Sequence, residues 1–125
     1  MSGAFELRAP TAQNSSWYQS AAPETSKVVV PAASMGRGRA GLLHWLAIHN
    51  KGGAKQYAFV FDGVDATGTL VAGPIAVNAS DTSSLDCRFG IPFTTGLFIA
   101  LSTTDSVFTL AGADAWFSAG YHVVT

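Results

Sequence analysis

Gly36-Arg37-Gly38-Arg39-Ala40-Gly41, followed by Leu42-Leu43-His44-Trp45-Leu46-Ala47-Ile48-His49-Asn50, is the stretch whose reading decides the fold. Read as a turn opening a helix, it is a dinucleotide fingerprint. A GxGxxG follows Val28-Val29-Val30, and Asp62 ends a second strand pattern 21 residues after Gly41. Read as a loop and a strand, it belongs to an all-β chain. Three features favour the second reading. Residues 31–35 separate the strand from the first glycine, whereas the fingerprint needs the strand to run straight into the turn. Residues 42–50 are short for a crossover helix and show no apolar stripe at a period of 3.6. Beyond Asp62, no helical pattern remains from which to build α/β layers.

Outward from this stretch, strand patterns alternate with Gly, Asp, Asn, Ser and Thr turns. The patterns fall at 27–30, 42–50, 57–62, 70–79, 85–89, 97–102, 107–110 and 115–124. The last places Phe117, Tyr121 and Val123 on one face and Trp116, His122 and Val124 on the other. Some eight strands with turns every 8–12 residues predict an antiparallel β-sandwich of jelly-roll type over 27–125. Residues 1–26 differ. They are rich in Ala, Ser, Thr, Pro, Gln and Asn, with Phe5, Leu7, Trp17 and Tyr18 as isolated apolar anchors. They read as an extended N-terminal arm carrying partner contacts, or alternatively as an irregular strand closing the domain's own sheet.

Charged residues make up 12% of the 125-residue chain and hydrophobic ones 48%. A typical domain carries about 25% charge. So little charge leaves apolar surface for a partner to cover. The strands at 42–50 and 97–102 are apolar on both faces, which points the same way: to an oligomer, expected to be a homotrimer. The net charge is −1 and the basic residues are scattered, so no nucleic-acid footprint is present. No apolar run is long enough to span a membrane, and no signal-peptide pattern opens the chain. The expectation is synthesis in a cytoplasm.

The residue types that carry chemistry form no readable set. His44 and His49 are five apart and face opposite sides of a regular strand, and His122 has no spaced second ligand, so no metal site is expected. Cys87, the single cysteine, alternates with Leu85 and Phe89 and reads as buried. Asp62, Asp65, Asp81, Asp86, Asp105 and Asp114 fall mostly in turns, where carboxylates bond their own backbone. No GxSxG or HExxH occurs. Catalytic residues and cofactors are therefore both expected to be absent. Trp17, Trp45 and Trp116, with eight phenylalanines, would suit a carbohydrate platform if exposed together. Trp45 and Trp116 lie within strand patterns, where core or subunit contact is the commoner fate.

Residues 46–50 (Leu-Ala-Ile-His-Asn), 57–63 (Tyr-Ala-Phe-Val-Phe-Asp-Gly) and 96–104 (Gly-Leu-Phe-Ile-Ala-Leu-Ser-Thr-Thr), with the closing strand carrying Tyr121, resemble small β-rich accessory virion proteins of tailed bacteriophages. The resemblance spans about residues 42–124. It implies a capsid decoration (cement) protein, or part of a spike or tail, located in the virion. Such proteins often resemble jelly rolls and form trimers, and they bring no catalytic residues to carry over. Partners would be further copies of this chain and the major capsid protein or other virion proteins. Phe5, Leu7, Trp17, Tyr18, Trp45 and Trp116 are the candidate contact residues. The alternative is a carbohydrate-binding or tail-tip module.

Overall fold

Two-residue alternation of buried and open side chains runs through residues 40–50, 82–87 and 115–119. The stretch at 42–50 obeys it with one interruption. A computed structural model describes residues 15–35 and 40–124. Among these lie eight strands: β1 (Ser15–Gln19), β2 (Ser26–Val30), β3 (Ala40–Asn50), β4 (Gln56–Asp62), β5 (Thr69–Val77), β6 (Thr82–Phe93), β7 (Leu97–Ser102) and β8 (Ala115–Val124). A 3₁₀ turn covers Ala32–Met35. The stretch that decides the fold is thus strand β3, and the dinucleotide fingerprint loses its helix. Residues 36–39 of that motif lie outside the described residues.

The strands form two four-stranded antiparallel sheets, in the orders β1-β8-β3-β6 and β2-β7-β4-β5. The pairs β1–β8, β2–β7, β3–β6 and β4–β5 make one long antiparallel ribbon with the β4–β5 hairpin at its tip. The pairs β3–β8 and β4–β7 lock the wound ribbon side by side. A ribbon wrapped in this way is a jelly roll. The chain is therefore an all-β antiparallel sandwich of jelly-roll topology, as the turn spacing predicts.

The core lies between the sheets. Leu43, Leu46 and Ile48 of β3, Val60 of β4, Leu97, Ile99 and Leu101 of β7, and Phe117 of β8 are fully buried there. Phe93 closes one end over Gly41, where any Cβ would overlap its ring. Asn50 closes the other end. Its amide donates to the carbonyls of Ala54 (2.8 Å) and Val77 (3.1 Å) and accepts from Gly52 N–H (2.8 Å), so a buried polar side chain satisfies the β3–β4 turn.

Two sequence expectations change, and a third is decided between its alternatives. Ser15–Gln19 is not an extended arm but, as the alternative has it, a strand closing the domain's own sheet: it pairs in register with β8, from Ser15↔His122 to Gln19↔Ser118. Phe5 and Leu7 lie outside the described residues. Residues 107–110 form no strand; Leu110 makes an isolated bridge to Ser102. Strand β6 extends well beyond 85–89 at both ends. It tolerates Pro92 because it is an edge strand, where a missing N–H leaves no ladder bond unmade.

The apolar outer faces of β4 and β7 do not await a second subunit. Phe59, Phe61, Phe98 and Ala100 form their own buried cluster, with Phe108 packed against it. Phe108 meets Phe59 and Phe61 edge-on, with ring centroids at 5.5 and 5.7 Å. The loop at 103–114 is held down by Ala111 N–H to Leu101 O, Thr103 N–H to Thr109 O and Thr109 N–H to Ser102 Oγ, each at 2.9 Å. The chain thus covers the outer faces of β4 and β7 itself and leaves the outer face of the β1-β8-β3-β6 sheet open.

Candidate functional site: the open face of the β1-β8-β3-β6 sheet

Cross-strand register sorts this outer face into rows. One row runs Trp116–His49–Thr82 from β8 through β3 to β6. The next runs Gln19–Ser118–Ala47–Ser84, and the third runs Trp17–Gly120–Trp45–Asp86. Successive rows lie about 6.8 Å apart along the strands. Small side chains in the middle row, between bulky ones, leave a trough. It has a volume of about 350 Å³ and is lined by Gln19, Ala47, His49, Thr82, Trp116 and Ser118.

Two local features shape the walls. A Cβ at Gly120 would overlap Nε1 and Cδ1 of Trp45, so the indole lies down over this glycine. Trp45 nonetheless keeps 40% of its surface exposed, and Trp17 beyond it is 66% exposed. At the opposite wall, His49 Nδ1 and Thr82 Oγ1 are 2.8 Å apart, which leaves His49 Nε2 for another partner. Lys51 Nζ stands 5.7 Å from the Trp116 ring centroid.

The interruption in β3 corrects the histidine reading. The pairing of β3 with both neighbours shifts between Leu43 and Trp45, a β-bulge at His44. One extra residue reverses the parity. His44 therefore meets the outward-facing His122, with Nε2 and Nδ1 2.6 Å apart and the rings stacked at 4.7 Å. His44 and His49 share the outer face and do not lie on opposite sides. Burial first, and then the charge of His44, push the His122 pKa below the usual imidazole value. Among the described residues, no three His, Cys, Asp or Glu side chains gather in a way that would hold a metal.

The remaining sequence candidates divide. Trp17, Trp45 and Trp116 stand on this one open face, not in the core. Tyr18 turns inward, and its hydroxyl donates to Glu24 Oε1 at 2.6 Å. Burial first, and then this carboxylate, push its pKa up to about 12. Tyr18 thus braces the chain after β1 together with Ser20, whose hydroxyl donates to the same oxygen at 2.7 Å. Cys87 is buried, and burial, with Asp86 beside it, raises its thiol pKa. Asp62 ties the β6–β7 turn to β4 by accepting N–H bonds from Thr94, Thr95 and Gly96. Its burial alone would raise its pKa, but these donors and the Thr94 hydroxyl outweigh that and lower it. Asp65 and Asp81 likewise accept from nearby backbone N–H groups, at Thr67 and Thr82. The trough itself is invisible to motif reading, because its lining comes from four separate strands. Its one signal in the sequence is the pairing of small and aromatic residues along 116–120.

No protein-family model matches the chain, and no curated protein matches it. Among solved structures, the coat protein of tobacco streak virus is similar over 87% of this chain and 86% of its own, with 12% identity and a TM-score of 0.45. A chain from the structure of infectious bursal disease virus Gx strain is similar over 87% of this chain and 31% of its own, with 15% identity and a TM-score of 0.37. Neither superposition is close enough to assign a function.

Proposed function

We propose that this chain is a non-enzymatic virion structural protein of the capsid decoration (cement) type, acting as a homotrimer on the assembled head. The observation that carries the reading is a jelly roll with little charge that leaves large apolar side chains open. Val107 is 68% exposed, Leu110 59% and Leu70 45%, in addition to Trp17 at the β1 edge. An assembling domain can use such side chains at its subunit contacts. The sequence resemblance of 42–124 to accessory phage virion proteins supports the same class. In this reading residues 1–14, with Phe5 and Leu7, reach a neighbouring subunit or the major capsid protein. Binding only the assembled shell stabilises it by mass action, about 2.7 kcal/mol at a hundredfold excess over Kd. Multivalent attachment as a trimer strengthens the hold.

Light scattering on the purified chain, followed by heating of particles with and without it, tests the proposal. A trimer that raises the temperature of particle rupture supports it. A monomer without effect on any particle removes it.

A second reading, a carbohydrate-binding or tail-tip module of a virion, has its own supporting observation: Trp116 lines a polar trough on one open face, and Trp17 and Trp45 stand one row away on the same face.

A further inference from the structure

We infer that the trough on the outer face of the β1-β8-β3-β6 sheet binds a neutral saccharide, with a sugar ring laid on the Trp45 indole and its hydroxyls bonded in the trough. This rests on the second reading above and adds the site, the ligand class and the role of each residue.

Trp45 lies along the sheet only because position 120 has no side chain. One indole face rests on the glycine while the side chain stays 40% exposed. An aromatic face carries partial negative charge and attracts the weakly positive C–H groups of a flat ring. A pyranose presents such C–H groups on one face and hydroxyls around its rim. It needs a flat indole with neutral hydrogen-bonding groups beside it, one row away.

That row is present. Gln19 offers an amide with two donors and an acceptor, and Ser118 a hydroxyl. Across the trough, His49 is oriented through Nδ1 by Thr82 and has Nε2 left to bond. Trp116 closes the end. The volume of about 350 Å³ is at the small end of ligand clefts, roughly 300–1,000 Å³, and suits a short saccharide.

Other occupants fit less well. A nucleotide needs cations or a nest of amides for its phosphates. Among the described lining residues none is charged, and nearby Lys51 is set over the Trp116 ring. A second copy packed flat on this face would strip water from the amide, hydroxyls and imidazole of a hollow it could not fill, leaving them unpaired. A saccharide can replace that water with hydroxyls of its own.

The test uses the full chain, titrated with maltotetraose, cellotetraose, chitotetraose and lactose at up to millimolar concentration, with ATP as control. Tryptophan fluorescence and saturation-transfer NMR report binding. The expected result is saturable binding of at least one sugar and none of ATP. Affinity should fall about tenfold, the equivalent of 1.4 kcal/mol, in Trp45→Ala and in Gly120→Ala. Gln19→Ala, an exposed edge substitution that leaves the core intact, should weaken binding in the same direction, so the result does not depend on the Trp45 variant folding. If a sugar binds but Gln19→Ala and Trp45→Ala bind it equally well, the trough assignment is wrong while the carbohydrate reading stands. If no sugar binds, both fall. If Trp45→Ala splits the oligomer, the face is a contact between copies and the proposal is overturned.

Discussion

Replacing Phe108 with alanine tests whether the chain covers the outer face of the β2-β7-β4-β5 sheet by itself. Phe108 sits edge-on against both Phe59 and Phe61, each of which is only 5% exposed. Truncating a fully buried phenylalanine costs about 3–5 kcal/mol. Phe108 keeps part of its surface in water, so about half of that, near 2 kcal/mol, is expected. The loop's backbone anchors to Leu101 and Ser102 do not involve the ring, so the loop should stay in place and leave a gap over the Phe59–Phe61 pair. At this chain length 1 kcal/mol moves Tm by about 3–5 °C, giving a fall of about 6–10 °C. Thermal unfolding followed by circular dichroism measures it, and binding of an apolar dye should rise as the phenylalanine cluster opens. A variant that melts with the native protein and binds no more dye would refute the claim that Phe108 is the cover. The apolar outer faces of β4 and β7 would then again require a partner.

Other outcomes follow from the same structure. Asn50→Leu removes a side chain that makes three hydrogen bonds to the β3–β4 turn and to Val77, and should cost about 2–3 kcal/mol in urea denaturation. Asp62→Asn weakens the four-donor clasp on the β6–β7 turn and should speed hydrogen exchange at Thr94, Thr95 and Gly96 ahead of the core. Because Asp62 has a folded pKa below its unfolded value, its stabilising contribution is complete above about pH 4 and lost as pH falls through the lower folded value. Melting scans should therefore show native and Asp62→Asn proteins converging in strong acid. His122 is also shifted down, so its neutral form stabilises the fold above about pH 6.5, and this contribution fades as pH falls through its folded pKa. His122→Gln should flatten the loss of stability on the acid side of pH 6.5.

The patterns most legible in the sequence were those where alternation and turn chemistry agree. The stretch 115–124 is strand β8, with Phe117 buried and Trp116 outward, and 97–102 is β7 residue for residue. Strand β1 was obscured because Ser15, Ser16 and Gln19 have low strand preference, and pairing with β8 supplies what propensity does not. Strand β6 was underestimated because Thr82, Ser84 and Pro92 are tolerated on the outer face of an edge strand. His44 and His49 share a face because of one bulged residue, which no local signal marks. Two-faced apolar strands in a sequence point to subunit contact, but for β4 and β7 the cover is Phe108, six residues beyond the end of β7, and only the folded loop reveals that. The trough left only the small and aromatic pairing along 116–120 as a signal, since register across four strands creates it.

The most direct test of the proposed role is electron cryomicroscopy of purified particles whose genome encodes this chain. The expected result is a small jelly roll in trimeric clusters on the outside of the head, at regular positions and with full occupancy, with residues 1–14 in contact with a neighbouring subunit. Intact, chemically clean particles with no copy of the chain on head, tail or spike would contradict a virion structural role.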